Sequence, residues 1–346
     1  MTLLLTNDDV RGVLDMRACI DALEEAFLDY ARGDAVNRPR SHTYTDLGGG
    51  RHYLLKTMDG SLPRHGVHAL RVTSDLTHEH DGRRDKIPAA PGERYVGLVL
   101  LFDHAELRPL ALVHDGYLQR MRVGATSALA ARLLARPASR VAAVIGAGWQ
   151  AGAQVEGLRA VLDLDKIRVY GPTREKLEAF CAEHDATPAR SVEEAVAGAD
   201  VVALATNAYR PVLHAELLEP GQHVGSVQGH ELEADVLERA DLVVVRSREE
   251  ATFHFAPGHA PLAAAERKRL EHLGPVELVE LGEVVTGAAG RRSADDVTLF
   301  TGGGTGASSG LGIQFAAVAN VVYRRALLEG AGNQLPDEWF TQKEKP

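Results

Sequence analysis

The chain has 346 residues, 45% of them hydrophobic and 25% charged, and carries a formal charge of -10 at pH 7. That length exceeds what a single core usually serves, so two domains are expected, and the composition argues against disorder. An acidic surface without long runs of like charge argues against nucleic acid and membrane partners, and no apolar stretch reaches the ~18 residues of a membrane span.

The first residues, Met1 to Val10, do not read as a secretory leader. Cys19 and Cys181 lie far apart in helix-like contexts and read as reduced packing thiols, so a cytoplasmic protein is expected. Apolar residues Val13, Ala18, Ile20, Leu23, Phe27 and Leu28 recur at helical spacing, with Asp15 placed to cap that helix. Short strand-like runs follow at Tyr53–Leu55, Ala69–Thr73 and Tyr95–Phe102. Between the last two, His78 to Glu93 reads as a long polar loop, and the first domain reads as antiparallel. A strand at Ala111–Val113 then leads into a long helix that ends at Arg136-Pro137.

From there strand and helix signals alternate. Unbroken apolar runs at Val141–Gly146, Val201–Thr206, His223–Val227 and Leu242–Val245, with Lys166–Gly171, predict buried parallel strands. Helices are predicted over Trp149–Leu162, Thr173–His184, Ser191–Ala199 and Glu231–Ala240. Ser191 and Glu194 form a capping box. After residue 246 the pattern weakens until a helix over Phe315–Gly330.

Gly146, Gly148 and Ala151 spell G-x-G-x-x-A between the first of these strands and its helix. The first glycine permits the tight turn, the second lets backbone approach a pyrophosphate, and the small third residue allows helix to pack on strand. The surrounding strand, helix and second strand make this a Rossmann unit over roughly residues 140–245. The second strand runs into Val169-Tyr170-Gly171-Pro172-Thr173-Arg174 without the carboxylate that holds a ribose 2′-hydroxyl in NAD proteins. Arg174 and Thr173 are placed to pair with a 2′-phosphate, so NADP(H) is favoured over NAD(H); the alternative is a solvated Arg174 in the first turn of a helix.

Four segments together resemble the ornithine cyclodeaminase/mu-crystallin family. They are Arg122-Val123-Gly124-Ala125-Thr126-Ser127-Ala128, Gly146-Ala147-Gly148-Trp149-Gln150-Ala151, Ala199-Asp200-Val201-Val202 leading to Ala205-Thr206, and Thr298-Leu299-Phe300. The resemblance implies an α/β architecture in which a Rossmann domain with a parallel sheet (126–314) is inserted into a split α+β substrate-binding and dimerisation domain (1–125 plus 315–346). It also implies a homodimer, and hydride movement between a nicotinamide and the α-carbon of a small imino or amino acid. Trp149, Gln150, Thr206 and Val227 join the expected cofactor residues on this basis. Arg122 matches the family arginine that grips a substrate carboxylate, and Arg40 a second basic residue. The family lysine on the following strand corresponds to Arg71, with Lys56 as the competing candidate. A guanidinium fork suits a carboxylate, but unlike lysine it sheds no proton near neutral pH.

The chain departs from the family's cyclodeaminases after strand His223–Val227. Those enzymes carry an aspartate there, whereas this chain reads Gly225-Ser226-Val227-Gln228-Gly229-His230-Glu231-Leu232. Reduction of a preformed, often cyclic, imine survives that loss, because its nitrogen is already in place. His230 is then the nearest candidate proton donor, with Glu231 beside it; the plainer reading of both is a helix N-terminus. An imine or ketimine reductase is therefore favoured. The alternatives are an amino-acid dehydrogenase, a cyclodeaminase-like ammonia lyase, and a non-catalytic NADP(H)-binding accessory subunit. His78-Glu79-His80-Asp81 reads as a solvated loop and a poor zinc signal, so no metal is expected. His254 and His259 read as loop residues, and Gly302-Gly303-Gly304-Thr305-Gly306 as a linker or a lip over the nicotinamide.

Overall fold

The structure, a computed structural model, describes residues 1–80, 83–248, 252–257, 276–301 and 310–344. Two compact units emerge: Met1–Gln119 with Glu249–Arg267 and Leu311–Pro346, and Arg120–Arg248 with Lys268–Gly310. The changeovers thus lie at 119/120 and 310/311 rather than at 125/126 and 314/315, and a piece after residue 248 returns to the first unit. The long helix Asp115–Leu134 straddles the first changeover, so it offers no break in sequence at which to place a boundary.

The first unit is built on a ten-stranded sheet. Its main path runs Thr252–Phe255, Arg40–Gly48, Arg51–Leu62, Val67–His80, Val96–Asp103, Pro109–His114, Thr2–Leu5 and Asn333–Leu335. Val36–Asn37 pairs with Arg51–Leu62, and Arg83–Ile87 with Val67–His80. Most pairs are antiparallel; Thr252–Phe255 on Arg40–Gly48 and Thr2–Leu5 on Pro109–His114 are parallel. The strands are longer than their apolar runs. In Val67–His80 the buried alternation begins with Val67 and Ala69 but continues with Thr73, Asp75 and Thr77, so half of this strand buries polar side chains. The segment read as a loop after His78 contains Arg83–Ile87, paired from Leu76↔Ile87 to His80↔Arg83. A solvent-facing hairpin satisfies its backbone by pairing alone, so it shows no apolar signature.

Helix Gly312–Glu329 begins three residues before its predicted start; it is buried all round from Gly312 to Asn320, and then on one side at Val322 and Ala326. Its first residue touches strand Arg51–Leu62: a Cβ on Gly312 would lie 1.9 Å from the Asp59 carbonyl oxygen, and one on Gly60 would lie 2.3 Å from the Ile313 nitrogen. Asn37 Oδ1 accepts the Gly312 N–H at 2.6 Å. Backbone meets backbone here, so neither partner can yield by changing a rotamer. Gly312→Ala is expected to lower stability by about 3 kcal/mol or more, the upper end of overpacking penalties. A wild-type urea midpoint for that variant would contradict the contact.

The second unit has an eight-stranded, all-parallel sheet ordered Thr187–Pro188, Lys166–Tyr170, Val141–Ile145, Val201–Leu204, His223–Ser226, Thr298–Thr301, Leu242–Val245 and Leu278–Glu280. From one edge this is the doubly wound 3-2-1-4-5 order, with the late strand Thr298–Thr301 slipped in before the sixth. The order reverses between Val141–Ile145 and Val201–Leu204, which is where such sheets bind ligands. Both neighbours bury every residue of their strands except the partly buried Val141.

Two segments of the family resemblance carry structure. Asp200 Oδ2 accepts from the backbone N–H groups of Arg140 and Val141 at 2.8 and 2.9 Å, tying two strand starts together. Thr298 Oγ1 donates to the Leu134 carbonyl at 3.2 Å and so accepts from His223 Nδ1 at 2.9 Å. Burial pushes that imidazole down to about 3, so it stays neutral.

Candidate functional site

Strand Val141–Ile145 ends in Gly146 at φ +121°, where a Cβ would sit 2.2 Å from the Ala205 carbonyl oxygen. Gly146 N–H donates to the Tyr170 carbonyl at 2.8 Å, so the turn is braced against the next strand. Gly148 is the N-cap of helix Trp149–Val161, and a Cβ there would meet nothing within 4 Å. No side chain caps this helix, so its first-turn N–H groups are left for a ligand, and Ala151 is fully buried where small size is needed. Gln150 Oε1 is buried without a hydrogen bond. An open glycine approach, an uncapped helix start and an orphaned acceptor fit a dinucleotide pyrophosphate and its ribose. Trp149 is exposed, with its ring 4.9 Å from the guanidinium carbon of Arg120. Arg120 donates to the Trp149 carbonyl and holds Glu156 at 2.6 and 2.9 Å. Sequence reading did not single Arg120 out, since it looks like any charged helix residue.

At the tip of strand Lys166–Tyr170, Thr173 caps helix Arg174–Glu183 without making a side-chain cap bond. Arg174 is exposed and its Nε donates to Glu178 Oε1 at 2.8 Å, one turn on. A phosphate would have to draw it from that surface pair, which costs little in water.

Beyond the switch point the chain is organised by Glu231, which is 0% exposed. Its Oε1 accepts from the Thr206 N–H (2.5 Å) and hydroxyl (2.8 Å), and its Oε2 from the Gln228 N–H (2.9 Å). The Ser226 hydroxyl also lies 3.0 Å from Oε2, sharing its proton with the Gln228 carbonyl. Thr206 and Val227, both expected near the cofactor, are therefore positioned by a carboxylate that read as a simple helix-start acid. His230 and Glu231 sit in a 3-10 turn, Gly229–Glu231, and the α-helix starts later, at Ala234. His230 Nε2 lies 2.7 Å from the Ala208 carbonyl, so this nitrogen carries the proton and spends it on the backbone. Arg122 is 1% exposed, and a Cβ on Gly310 would fall 2.5 Å from its Nη1.

In the first unit, one face of the sheet gathers Arg40, Lys56 and Arg71. Register places His254, His42, Lys56, Thr73 and Gly97 in one row across five strands, with Met58 and Arg71 in the next. Lys56 Nζ pairs with buried Asp75 at 3.0 Å, and Lys86 Nζ with its other oxygen at 2.5 Å. Burial pulls the Lys56 ammonium below its ordinary range, opposed by Asp75. Arg71 donates through Nε and Nη2 to Asp115 Oδ2 at 2.9 and 2.6 Å, and stacks 4.9 Å from the Phe315 ring. Gly97 admits Asp115, whose Cβ would lie 2.9 Å from any Cβ placed there. Arg71 and Lys56 are thus neighbours on one face rather than exclusive candidates.

Asp75→Asn removes the charge that supports the Lys56 ammonium, leaving burial unopposed. An alkaline limb of kcat/KM set by Lys56 is expected to move to lower pH in that variant, read from pH–rate profiles of the two proteins.

His254 lies in a strand, not a loop, and His78 and His80 lie at the end of strand Val67–His80 with rings stacked at 5.1 Å. Asp81, His259 and the run Gly302–Gly306 fall outside the described residues. Among the described residues no group of three or more His, Cys, Asp or Glu side chains is placed to hold a metal, and no helix is long and apolar enough to cross a membrane.

Residues 1–330 match the model of the ornithine cyclodeaminase/mu-crystallin family. A Δ1-pyrroline-2-carboxylate reductase of Bacillus cereus is 34% identical over 251 residues, 69% of this chain and 74% of its own length. Among solved structures, the Thermococcus litoralis Δ1-pyrroline-2-carboxylate reductase in complex with NADH and L-proline superposes with a TM-score of 0.76 at 25% identity, covering 96% of this chain and all of that one. An archaeal alanine dehydrogenase dimer with bound NAD gives the same TM-score at 29% identity over 97% of this chain and 99% of its own.

Proposed function

The chain belongs to the ornithine cyclodeaminase/mu-crystallin family, and on that premise we propose that it is an NADPH-dependent reductase of a small cyclic imino acid. The broader activity, an NAD(P)-dependent oxidoreductase acting on the C=N or C–N bond of a small imino or amino acid, follows from its relatives. The observation that favours reduction over cyclodeamination lies at the end of strand His223–Ser226. Where the family's cyclodeaminases carry their aspartate, this chain has Val227 or a deletion, and the carboxylate that follows, Glu231, is buried and engaged with protein donors. That carboxylate is not left to shuttle protons during loss of an amine. A preformed imine needs only hydride and one proton, giving the amine.

Held by its pyrophosphate at the Gly146–Gly148 turn, a reduced dinucleotide would supply the hydride. The chain's own residues do the rest. The cations of the first unit, Arg40, Lys56 and Arg71, hold the substrate carboxylate, and the acid is Lys56 rather than His230, whose proton is committed to Ala208. Positioning and electrostatics supply most of the acceleration for an imine that protonates readily. A homodimer is supported by an apolar sheet face in the first unit where Tyr53, Leu55, Val96 and Leu98 are all exposed; light scattering reads its mass. A cytoplasmic enzyme fits the two free, buried cysteines.

Oxidation of NADPH and NADH by purified protein, with five- and six-membered cyclic imino acids, tests this reading. Turnover that prefers NADPH is expected, and Arg174→Ala is expected to raise the KM for NADPH about tenfold while leaving NADH unchanged, since a guanidinium–phosphate bond is charge-assisted. Cofactor binding without turnover of any imine moves the assignment to an amino-acid dehydrogenase, or to an accessory subunit if amino acids are also inert.

A further inference from the structure

Two other histidines of this protein find hydrogen-bond partners: His223 meets Thr298 and His230 meets the Ala208 carbonyl. His42 does not. Among the described residues it is the histidine with both ring nitrogens shielded from solvent and without a hydrogen bond, where His52 leaves only Nδ1 so. Its ring stands edge-on to His254, 5.2 Å between centroids at 80°, and 6.4 Å from Tyr44. On the sheet it lies directly opposite Lys56, with Arg40 two residues back on the same strand and therefore on the same face. Burial, reinforced by the positive charges of Arg40 and Lys56, pushes the imidazole down to about 3, so the ring is neutral at any physiological pH.

A buried polar group without a partner is uncommon and costly, and in a polar setting it marks a place where a ligand or water belongs. Here the setting selects the ligand. Arg40 and Lys56 favour an anion beside the ring. A neutral imidazole offers one N–H donor and one lone-pair acceptor together, without adding a further positive charge. A protonated imino acid carries the complementary pair, a carboxylate that accepts and an N–H that donates. Resting on the reading of the reaction given above, we propose that His42 is a substrate-contacting, specificity-determining residue that recognises the carboxylate and the nitrogen of the imino acid at a subsite flanked by Arg40 and Lys56.

Calorimetry on the full chain saturated with NADPH, using L-proline and the planar analogue pyrrole-2-carboxylate as probes, tests the assignment. His42→Phe keeps a flat ring but removes donor and acceptor, and is expected to weaken both probes at least about tenfold. His42→Gln keeps one donor and one acceptor and is expected to stay within about threefold of wild type. Dihydronicotinamide fluorescence should report unchanged cofactor affinity in both; should His42→Phe fail that control, His42→Ala takes its place. Equal binding of the probes by wild type and the ring-deleted variant overturns the proposal. A wild-type protein that binds L-alanine but neither cyclic probe sinks the cyclic-imine reading while leaving His42 to be judged by the same variants on L-alanine. A wild type that binds none of the three overturns both.

Discussion

Glu231→Ala is expected to lower stability by about 3–5 kcal/mol and to weaken dinucleotide binding at least about tenfold, because it strands several buried donors at once. The Thr206 N–H, the Thr206 hydroxyl and the Gln228 N–H all end on this one side chain, and it has no exposure to water. Those donors belong to the segments that leave strands Val201–Leu204 and His223–Ser226, the two on the far side of the switch point. Without the acceptor, both segments must find other partners and the edge of the sheet that faces the cofactor loses its shape. Glu231→Gln should fall between, since its remaining oxygen serves one set of donors while its NH2 group confronts the other. Urea midpoints and dihydronicotinamide fluorescence titrations read both effects; a Glu231→Ala protein with wild-type values in both would remove Glu231 from any positioning role.

The glycines of the dinucleotide turn should separate in the opposite sense from each other. Gly146→Ala forces a Cβ to within 2.2 Å of a backbone carbonyl at a φ of +121°, so it is expected to destabilise the fold by about 3 kcal/mol or more and to lose cofactor binding with it. Gly148→Ala meets open space at a φ of -117°, so its urea midpoint should match wild type. Its affinity for the dinucleotide should nevertheless fall about tenfold or more, because the added methyl occupies the approach to the helix start. If Gly148→Ala binds cofactor normally, the pyrophosphate does not pass over that residue.

The dinucleotide half of the molecule was legible because its physics is local. Parallel strands buried on both faces must be unbroken apolar runs, and the turn that follows admits only particular residues, so Val141–Ile145, Gly146 and Ala151 announce themselves. The first unit was less legible. Its strands Arg51–Leu62 and Val67–His80 bury Asp75, Thr73 and Thr77 on the face that also carries Lys56 and Arg71, and a strand that buries polar groups carries no hydrophobic alternation to read. His42 and His254 become neighbours only because Thr252–Phe255 adds to the sheet edge beside Arg40–Gly48, across some two hundred residues of chain. Glu231 escaped for a related reason: an acid at the start of a helical pattern looks like a dipole partner until the donors that surround it are placed in space.

The meeting of helix Gly312–Glu329 with the early strands has a bearing on synthesis. Asn37 and Gly312 are 275 residues apart, yet the one accepts the other's N–H. At ribosomal rates of ~5–20 residues per second, roughly 14–55 s separate their emergence. The N-terminal sheet must therefore wait, with the surface for its last helix bare, while the whole nucleotide-binding unit is made and folds between them. Expression conditions that slow elongation should lengthen that exposed interval and send more of the nascent chain to chaperones or aggregates.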